Sequence, residues 1–169
     1  DRDPDRAFFL LLTLAQQGSV WAMVNLGWCC AVGCGAPTNA TDAEYWYKRA
    51  YDAGCDRALL DYAGMLERRG ALHLAQEVYA AGAARGWAPA IFHAVRLDLR
   101  DAKTLEARLR QKPNLERAAA LGSPAALFLL TKYMVRGRFG VRNVAGGLRL
   151  LYGQLKKTLA GDEQGERSQ

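Results

Sequence analysis

The chain has few of the residues that build metal and catalytic sites. Among its 169 residues are two histidines, and its four cysteines lack the paired C-x-x-C spacing of zinc sites. Neither His73 nor His93 has a serine, cysteine or carboxylate at the spacing of a catalytic triad or a metal site. We therefore predict no catalytic residues, no metal, no cofactor and a protein that is not an enzyme.

Long apolar runs are also absent from the sequence. No segment approaches the roughly 20 apolar residues of a membrane-spanning helix, so we predict no transmembrane segment. The apolar stretch 7–12 follows acidic residues rather than the basic region of a secretory signal. Cysteines that we expect to be reduced and buried favour the cytoplasm. Asp1 is not a native start, and removal of a signal peptide would leave the same chain in a periplasmic or secreted protein, so the compartment stays open.

What the sequence does contain is apolar and basic. Half of the residues are hydrophobic, which is enough for a sizeable core and excludes global disorder. The net charge is +6, which either suggests an anionic partner or serves solubility.

One spacing occurs four times: a glycine followed four residues later by an alanine. The pairs are Gly18/Ala22, Gly54/Ala58, Gly86/Ala90 and Gly122/Ala126. Successive glycines are 36, 32 and 36 residues apart, and Gly161 follows 39 residues after the fourth. A period in this range indicates repeated supersecondary units.

Small and apolar residues recur around each of these glycines at helical spacing. Positions 4, 8 and 12 after the glycine form one stripe, and positions 11, 7, 4 and 3 before it form another. Each repeat is therefore predicted to be two antiparallel helices, with the glycine ending the second helix as a C-cap. The predicted fold is all-α, a right-handed α-α superhelix (solenoid) of about four helix pairs plus one preceding helix.

The predicted helices cover 4–17, 19–32, 41–53, 56–69, 71–85, 88–100, 103–121, 123–136 and 143–160. Pro113 is expected to kink or split the seventh of them near Lys112. The last helix carries Leu148, Leu151, Tyr152, Leu155 and Leu159 in amphipathic spacing and is expected to cap the array. The predicted organisation is one solenoid domain over 1–161, comprising the second helix of a preceding repeat (4–17), repeat 1 (18–53), repeat 2 (54–85), repeat 3 (86–121), repeat 4 with its capping helix (122–160), and a disordered tail (162–169).

The first repeat resembles a known family. The residues that carry the resemblance are Gly18-x-x-x-Ala22-x-x-x-Leu26-Gly27, then Gly33-x-Gly35-x-Pro37, then Ala43-x-x-Trp46-Tyr47-x-x-Ala50-x-x-x-Gly54. They are similar to the Sel-one-like repeat (SLR), a relative of the tetratricopeptide repeat, over about 7–161. The resemblance implies a scaffold for protein complexes, often in bacterial signalling, envelope assembly or host interaction. Some secreted members pin each helix pair with a disulfide, and the cysteines here do not follow that pattern.

The resemblance also implies that the first helix of each pair lines a concave groove. The groove positions that we take as partner-binding are Trp21, Val24, Trp28, Arg57, Leu60, Arg68, Phe92, Arg96, Arg100, Phe128, Lys132 and Arg136. Tryptophan and arginine frequently anchor interfaces, so we expect a peptide with an apolar anchor and acidic residues.

Two other interpretations remain. In the first, the tryptophans pack against a preceding repeat and the arginines form a solvated face. In the second, the basic charge and the aromatic residues serve nucleic-acid binding. Nucleic acid is the weaker alternative, since the groove positions share no pattern from one repeat to the next. The oligomeric state stays open.

Overall fold

The computed structural model describes residues 3–166, with backbone alone for residue 155 and for 157–166. Within that range the chain is all-α, with no strand, and every predicted helix is present. The helices are α1 (Pro4–Gln16), α2 (Val20–Val32), α3 (Ala40–Asp52), α4 (Asp56–Arg68), α5 (Leu72–Ala84), α6 (Ala88–Asp101), α7 (Leu105–Ala120), α8 (Pro124–Val135) and α9 (Val144–Glu166), with a short 3-10 helix (Val141–Asn143) before α9.

The repeat glycines end helices, as the spacing predicts. All four have a left-handed backbone, with φ between 78° and 94°, a conformation that glycine adopts without steric cost. At the first boundary the Gly18 N–H donates to the Ala15 carbonyl and the Ser19 N–H donates to the Leu14 carbonyl. This is the Schellman pattern, which satisfies the last carbonyls of a helix, and it recurs at Gly54 and Gly122.

The alanine four residues after each glycine is fully buried. Ala22, Ala58, Ala90 and Ala126 all have no exposed surface. The positions 8 and 12 residues after the glycine are buried as well, except that Asp98 in repeat 3 is half-buried. The stripe predicted from the spacing is therefore the core side of each first helix, and alanine there lets neighbouring helices approach closely.

Of the two outcomes predicted for Pro113, the split of the helix is wrong and the kink stays a prediction. α7 runs unbroken from Leu105 to Ala120 with Pro113 inside it. Proline removes one backbone hydrogen bond, but α7 packs against both α6 and α8, and Leu115 and Ala118 are fully buried. This packing anchors the part of the helix that follows the proline. Leu115 and Ala118 stand 7 and 4 residues before Gly122, as Tyr47 and Ala50 stand before Gly54, so repeat 3 keeps the common register.

The last helix differs from its prediction in length and in the face it buries. α9 continues to Glu166, so 162–166 are helical where we expected a disordered tail, because no proline lies within 144–166 to break the helix; 167–169 lie outside the described residues. Leu148, Leu151 and Tyr152 are exposed, and the side chains of 155 and 159 are outside the description. The face that meets α8 carries Gly146 and Gly147 instead. A Cβ at Gly147 would lie 2.6 Å from the Met134 Cβ, so glycine permits this close approach.

The chain divides into two compact units, Asp1–Arg85 and Gly86–Gln169. In the first, α1 packs on α2, α2 on α3, α3 on α4 and α4 on α5. In the second, α6 to α9 pack in the same sequential way. The division falls at Gly86, the boundary between repeats 2 and 3.

Candidate partner-binding surfaces

Two tryptophans project from one face of α2. The sequence of this helix contains no charged residue, and Ser19 caps its start by accepting a hydrogen bond from the Ala22 N–H. Trp21 and Trp28 are 68% and 52% exposed, although they lie on the same helix as the buried Ala22 and Leu26. Seven residues separate them, which is two helical turns and about 10 Å. We call this surface, Trp21 and Trp28, the tryptophan face.

Val24 is the one predicted groove residue of α2 that the structure places in the core. It is 6% exposed, because α1 and α3 both pack against α2 and cover the side on which it lies. It therefore offers no surface to a partner. In α4 the predicted Arg57 and Arg68 are exposed and Leu60 is half-buried.

In repeat 3 the predicted residues are less open. Phe92 and Arg96 are half-buried, and Arg96 Nη2 lies 3.5 Å from His93 Nδ1. Arg100 is exposed and pairs with Asp101 at 3.6 Å. These side chains already have neighbours of their own within α6.

Repeat 4 brings three predicted residues to one pocket between α8 and α9. The pocket has a volume of about 330 Å³ and is lined by Phe128, Thr131, Lys132, Val135, Arg136, Leu151 and Gln154. We call it the α8 pocket. Phe128, Lys132 and Arg136 follow one another at successive turns of α8 and are all exposed. The sequence pattern identified the α8 side of this pocket and missed Leu151 and Gln154 on α9.

The floor of the α8 pocket is polar and hydrogen-bonded. Thr131 is 4% exposed, and its hydroxyl donates to the Leu127 carbonyl at 2.8 Å. The Gln154 side-chain amide donates in turn to the Thr131 hydroxyl at 3.1 Å. Lys132 Nζ lies 5.9 Å from the centre of the Phe128 ring, within cation–π range. Among the described side chains, neither Lys132 nor Arg136 forms an ion pair with a carboxylate.

A second open pocket lies between α3 and α4, in the first unit. It has a volume of about 620 Å³ and is lined by Ala40, Thr41, Glu44, Tyr45, Lys48, Met65, Arg68 and Arg69. Two of its cations are already neutralised, since Arg69 pairs with Glu44 at 3.1 Å and Lys48 pairs with Asp52 at 2.6 Å. Sequence analysis singled out Arg68 alone among these residues.

The titratable groups occupy structural positions. Burial raises the pKa of Tyr47 to about 12, and Asp61 adds to the shift. The pKa of Asp61 is itself raised by burial, against the opposing charges of Arg57 and Arg68. Burial and then Asp101 raise the pKa of Asp98. These shifts follow from packing around helix pairs rather than from a cleft with convergent catalytic groups.

The two histidines lie on different helices, apart from the cysteines Cys29, Cys30 and Cys34. His73 is exposed near the start of α5, where its Nδ1 lies 3.4 Å from Glu77 Oε1, and His93 lies on α6. Cys29 and Cys30 are buried, which raises the pKa of both thiols. In the part of the chain that the structure describes, no three His, Cys, Asp or Glu side chains gather as a metal site would require. No helix there has the length and apolar character needed to cross a membrane.

Comparison with known proteins identifies solved structures of similar fold, while protein-family models and curated protein sequences give no match. A Sel1 repeat protein from Oxalobacter formigenes aligns with a TM-score of 0.71 at 17% identity, over 90% of this chain and 65% of that one. The protein c5321, a protective antigen present in uropathogenic Escherichia coli strains and displaying an SLR fold, aligns with a TM-score of 0.57 at 17% identity. That alignment covers 88% of this chain and 41% of c5321, so the chain spans less than two thirds of either protein.

At this identity the likeness concerns the fold. In this chain that fold consists of helices that pair in sequence order within each unit, with left-handed glycines at the repeat boundaries and fully buried alanines four residues later. The chain has the Sel1-like repeat (SLR) fold, as the resemblance of its first repeat implies.

Proposed function

We propose that the chain is a non-enzymatic scaffold that binds a protein partner through the exposed faces of its first helices. The observation that carries the proposal is the tryptophan face of α2. Its two indole rings are more than half exposed on a helix that has no charged side chain to solvate them.

Two exposed tryptophans are a costly surface for a free protein. A tryptophan can bury roughly 150–250 Å², and tryptophan is among the residues most often found at the energetic centre of interfaces. α1, the helix that precedes α2, packs against it and still leaves both rings exposed. α1 is therefore not the cover of these rings, and the proposal assigns that role to a partner protein. SLR solenoids are scaffolds of this kind.

The test is affinity capture with wild type and with a Trp21→Ala/Trp28→Ala variant, followed by titration of the purified captured protein. Truncating an interface anchor costs about 2 kcal/mol or more, so binding should weaken by about thirtyfold or more. Circular dichroism and thermal melting should match wild type, because neither ring is part of the core.

Tyr45→Ala is the matched control. Tyr45 is also 52% exposed, like Trp28, but it lies on α3, a second helix. Tyr45→Ala should leave the affinity of the chain for the captured protein unchanged. Equal capture by wild type and the double tryptophan variant would rule out the tryptophan face as the binding surface.

A further inference from the structure

The basic charge of the chain is concentrated in one of its two units. Residues 1–85 contain eight Lys and Arg against ten Asp and Glu, whereas residues 86–169 contain fifteen against seven. Within the second unit, the stretch 117–161 contains eight basic residues and no acidic residue at all. α8 and the adjoining part of α9 therefore have no carboxylate of their own with which to neutralise their cations.

Two of these cations stand at the α8 pocket. Lys132 and Arg136 are four residues apart, so their side chains leave the same face of α8 one turn, about 6 Å, from each other. Like charges at this spacing repel, and the pattern is unfavourable for an isolated helix. A ligand that brings negative charge to this place relieves the repulsion.

The walls of the same pocket are apolar. Phe128 and Val135 come from α8 and Leu151 comes from α9, and Phe128 and Leu151 are 64% and 38% exposed. The polar groups of the floor, Thr131 and Gln154, already bond to each other. An occupant thus meets apolar walls and a cationic rim.

We propose that the α8 pocket binds an acidic peptide segment of a partner protein, with an apolar side chain in the pocket and carboxylates on Lys132 and Arg136. This rests on the proposed scaffold function and names the ligand chemistry of a second surface. In an extended peptide, alternate side chains on one face are about 7 Å apart, close to the spacing of the two cations. The matching segment has an apolar residue followed or preceded by acidic residues at the second and fourth positions.

The pocket is better suited to a peptide than to a nucleic acid. Single-stranded nucleic acids bind by stacking bases on free aromatic faces. Among the described lining residues Phe128 alone is aromatic, and Lys132 Nζ already lies over its ring. The remaining apolar walls are aliphatic, which suits a leucine or isoleucine side chain.

Two fluorescein-labelled heptapeptides test the proposal by fluorescence anisotropy with the full chain. Each contains one leucine and two glutamates at alternate positions, and its other residues are glycine. The leucine precedes the glutamates in one peptide and follows them in the other. Each peptide is matched by a version with glutamine in place of glutamate. At least one acidic peptide should bind, and its glutamine version should bind at least about tenfold more weakly. Lys132→Gln/Arg136→Gln should weaken the acidic peptide by about tenfold or more.

Arg142→Gln/Arg149→Gln is the matched control. It removes the same charge from the same acid-free stretch at exposed residues outside the pocket lining, and should change the affinity by less than about twofold. Methyl NMR of the wild-type chain gives a readout that depends on no variant: the Val135 and Leu151 methyl signals should shift as the acidic peptide is added.

Three results would overturn the proposal. One is no binding of either acidic peptide at about 1 mM. Another is an equal loss of affinity in the control variant, which would indicate general charge attraction. The third is tighter binding of a uridine oligonucleotide that depends on Lys132 and Arg136. A tryptophan-dependent partner would still be captured in each of these cases if the proposed function is right, so the two proposals fail separately.

Discussion

The helix pairs α2/α3 and α8/α9 share one repeat pattern but differ in the contact between their two helices and in their exposed side chains. In both, a left-handed glycine precedes a serine that caps the first helix: Ser19 accepts from the Ala22 N–H, and Ser123 accepts from the Ala126 N–H. In both, the alanine is fully buried. The start of each pair is thus built by the same local interactions.

The contact between the two helices is not the same. In α2/α3 it joins Gly27 to Tyr47, whose ring lies so close that a Cβ on Gly27 would be 2.9 Å from it. The equivalent position of Gly27 in repeat 4 is Thr131, which meets Gln154 through a hydrogen bond. The first repeat therefore packs an aromatic ring against a glycine, whereas the fourth repeat joins two polar side chains at the same position.

The exposed sides diverge further. α2 presents two tryptophans and no charge, while α8 presents Phe128, Lys132 and Arg136 in a stretch free of acids. The comparison shows that one backbone design accommodates two surfaces of different chemistry. The conserved spacing constrains the small buried residues, and the residues between them are available for binding.

The largest difference is expected when the interhelical contact of each pair is removed. Tyr47→Ala should lower the free energy of unfolding by about 3–5 kcal/mol, because a ring that is 4% exposed leaves a cavity. Gln154→Ala should cost about 1 kcal/mol, the net value of one hydrogen bond. Urea unfolding measures both. Equal losses in the free energy of unfolding would contradict this prediction, because they would mean that the two contacts are energetically equivalent.

A medium effect is expected at the helix-interior glycines. Gly27→Ala should lower stability by about 1–3 kcal/mol, because the new methyl group overlaps the buried Tyr47 ring. Gly64 on α4 is the control: a Cβ there would meet only the end of Arg68 at 3.7 Å. Gly64→Ala should therefore raise stability by about 0.5–1 kcal/mol through helix propensity. Thermal melts of the two variants should shift in opposite directions, and a stabilised Gly27→Ala would show that the ring moves aside freely.

The smallest effect concerns the pH dependence of the first unit. Burial raises the pKa of Asp61 in the folded chain, although Arg57 and Arg68 oppose the shift. A carboxyl pKa that is higher in the folded chain than in the unfolded chain means that ionisation of the carboxyl disfavours folding. This loss of stability is absent at a pH below both pKa values and complete at a pH above the pKa of the folded chain. The free energy of unfolding of Asp61→Asn minus that of wild type should thus be larger at about pH 7 than at about pH 3. Denaturation at the two pH values measures the difference, and a difference that is the same at both would exclude the desolvated carboxylate as its cause.

The sequence predicted the periodic features well. The helices within residues 3–166, the boundary glycines and the buried alanines all follow from spacing, because they depend on local backbone geometry and on one recurring packing arrangement. Pro113 was misjudged because packing of α7 against two neighbours outweighs one lost backbone bond. Gly147 and Gln154 were missed because the leucines of α9 dominate its pattern, while the face that packs on α8 carries small and polar residues.

The candidate surfaces could be located but not assembled from the sequence. Repeat alignment placed Trp21, Trp28 and Lys132 on exposed positions of first helices, yet it also placed Val24 there, which neighbouring helices cover. The α8 pocket needs the position of α9 relative to α8, a packing detail set by Gly146 and Gly147.

The boundary glycines have a consequence for how such a chain can change its length. At Gly18, Gly54 and Gly122 the hydrogen bonds of the turn go back to the helix that has just ended, so these bonds do not depend on the helix that follows. A duplication or deletion between two such joints adds or removes whole helix pairs and keeps the hydrogen bonds of the turn at the junction. Recombination at these glycines can therefore renew the exposed residues of one pair, such as the tryptophans of α2, while the neighbouring pairs keep their own.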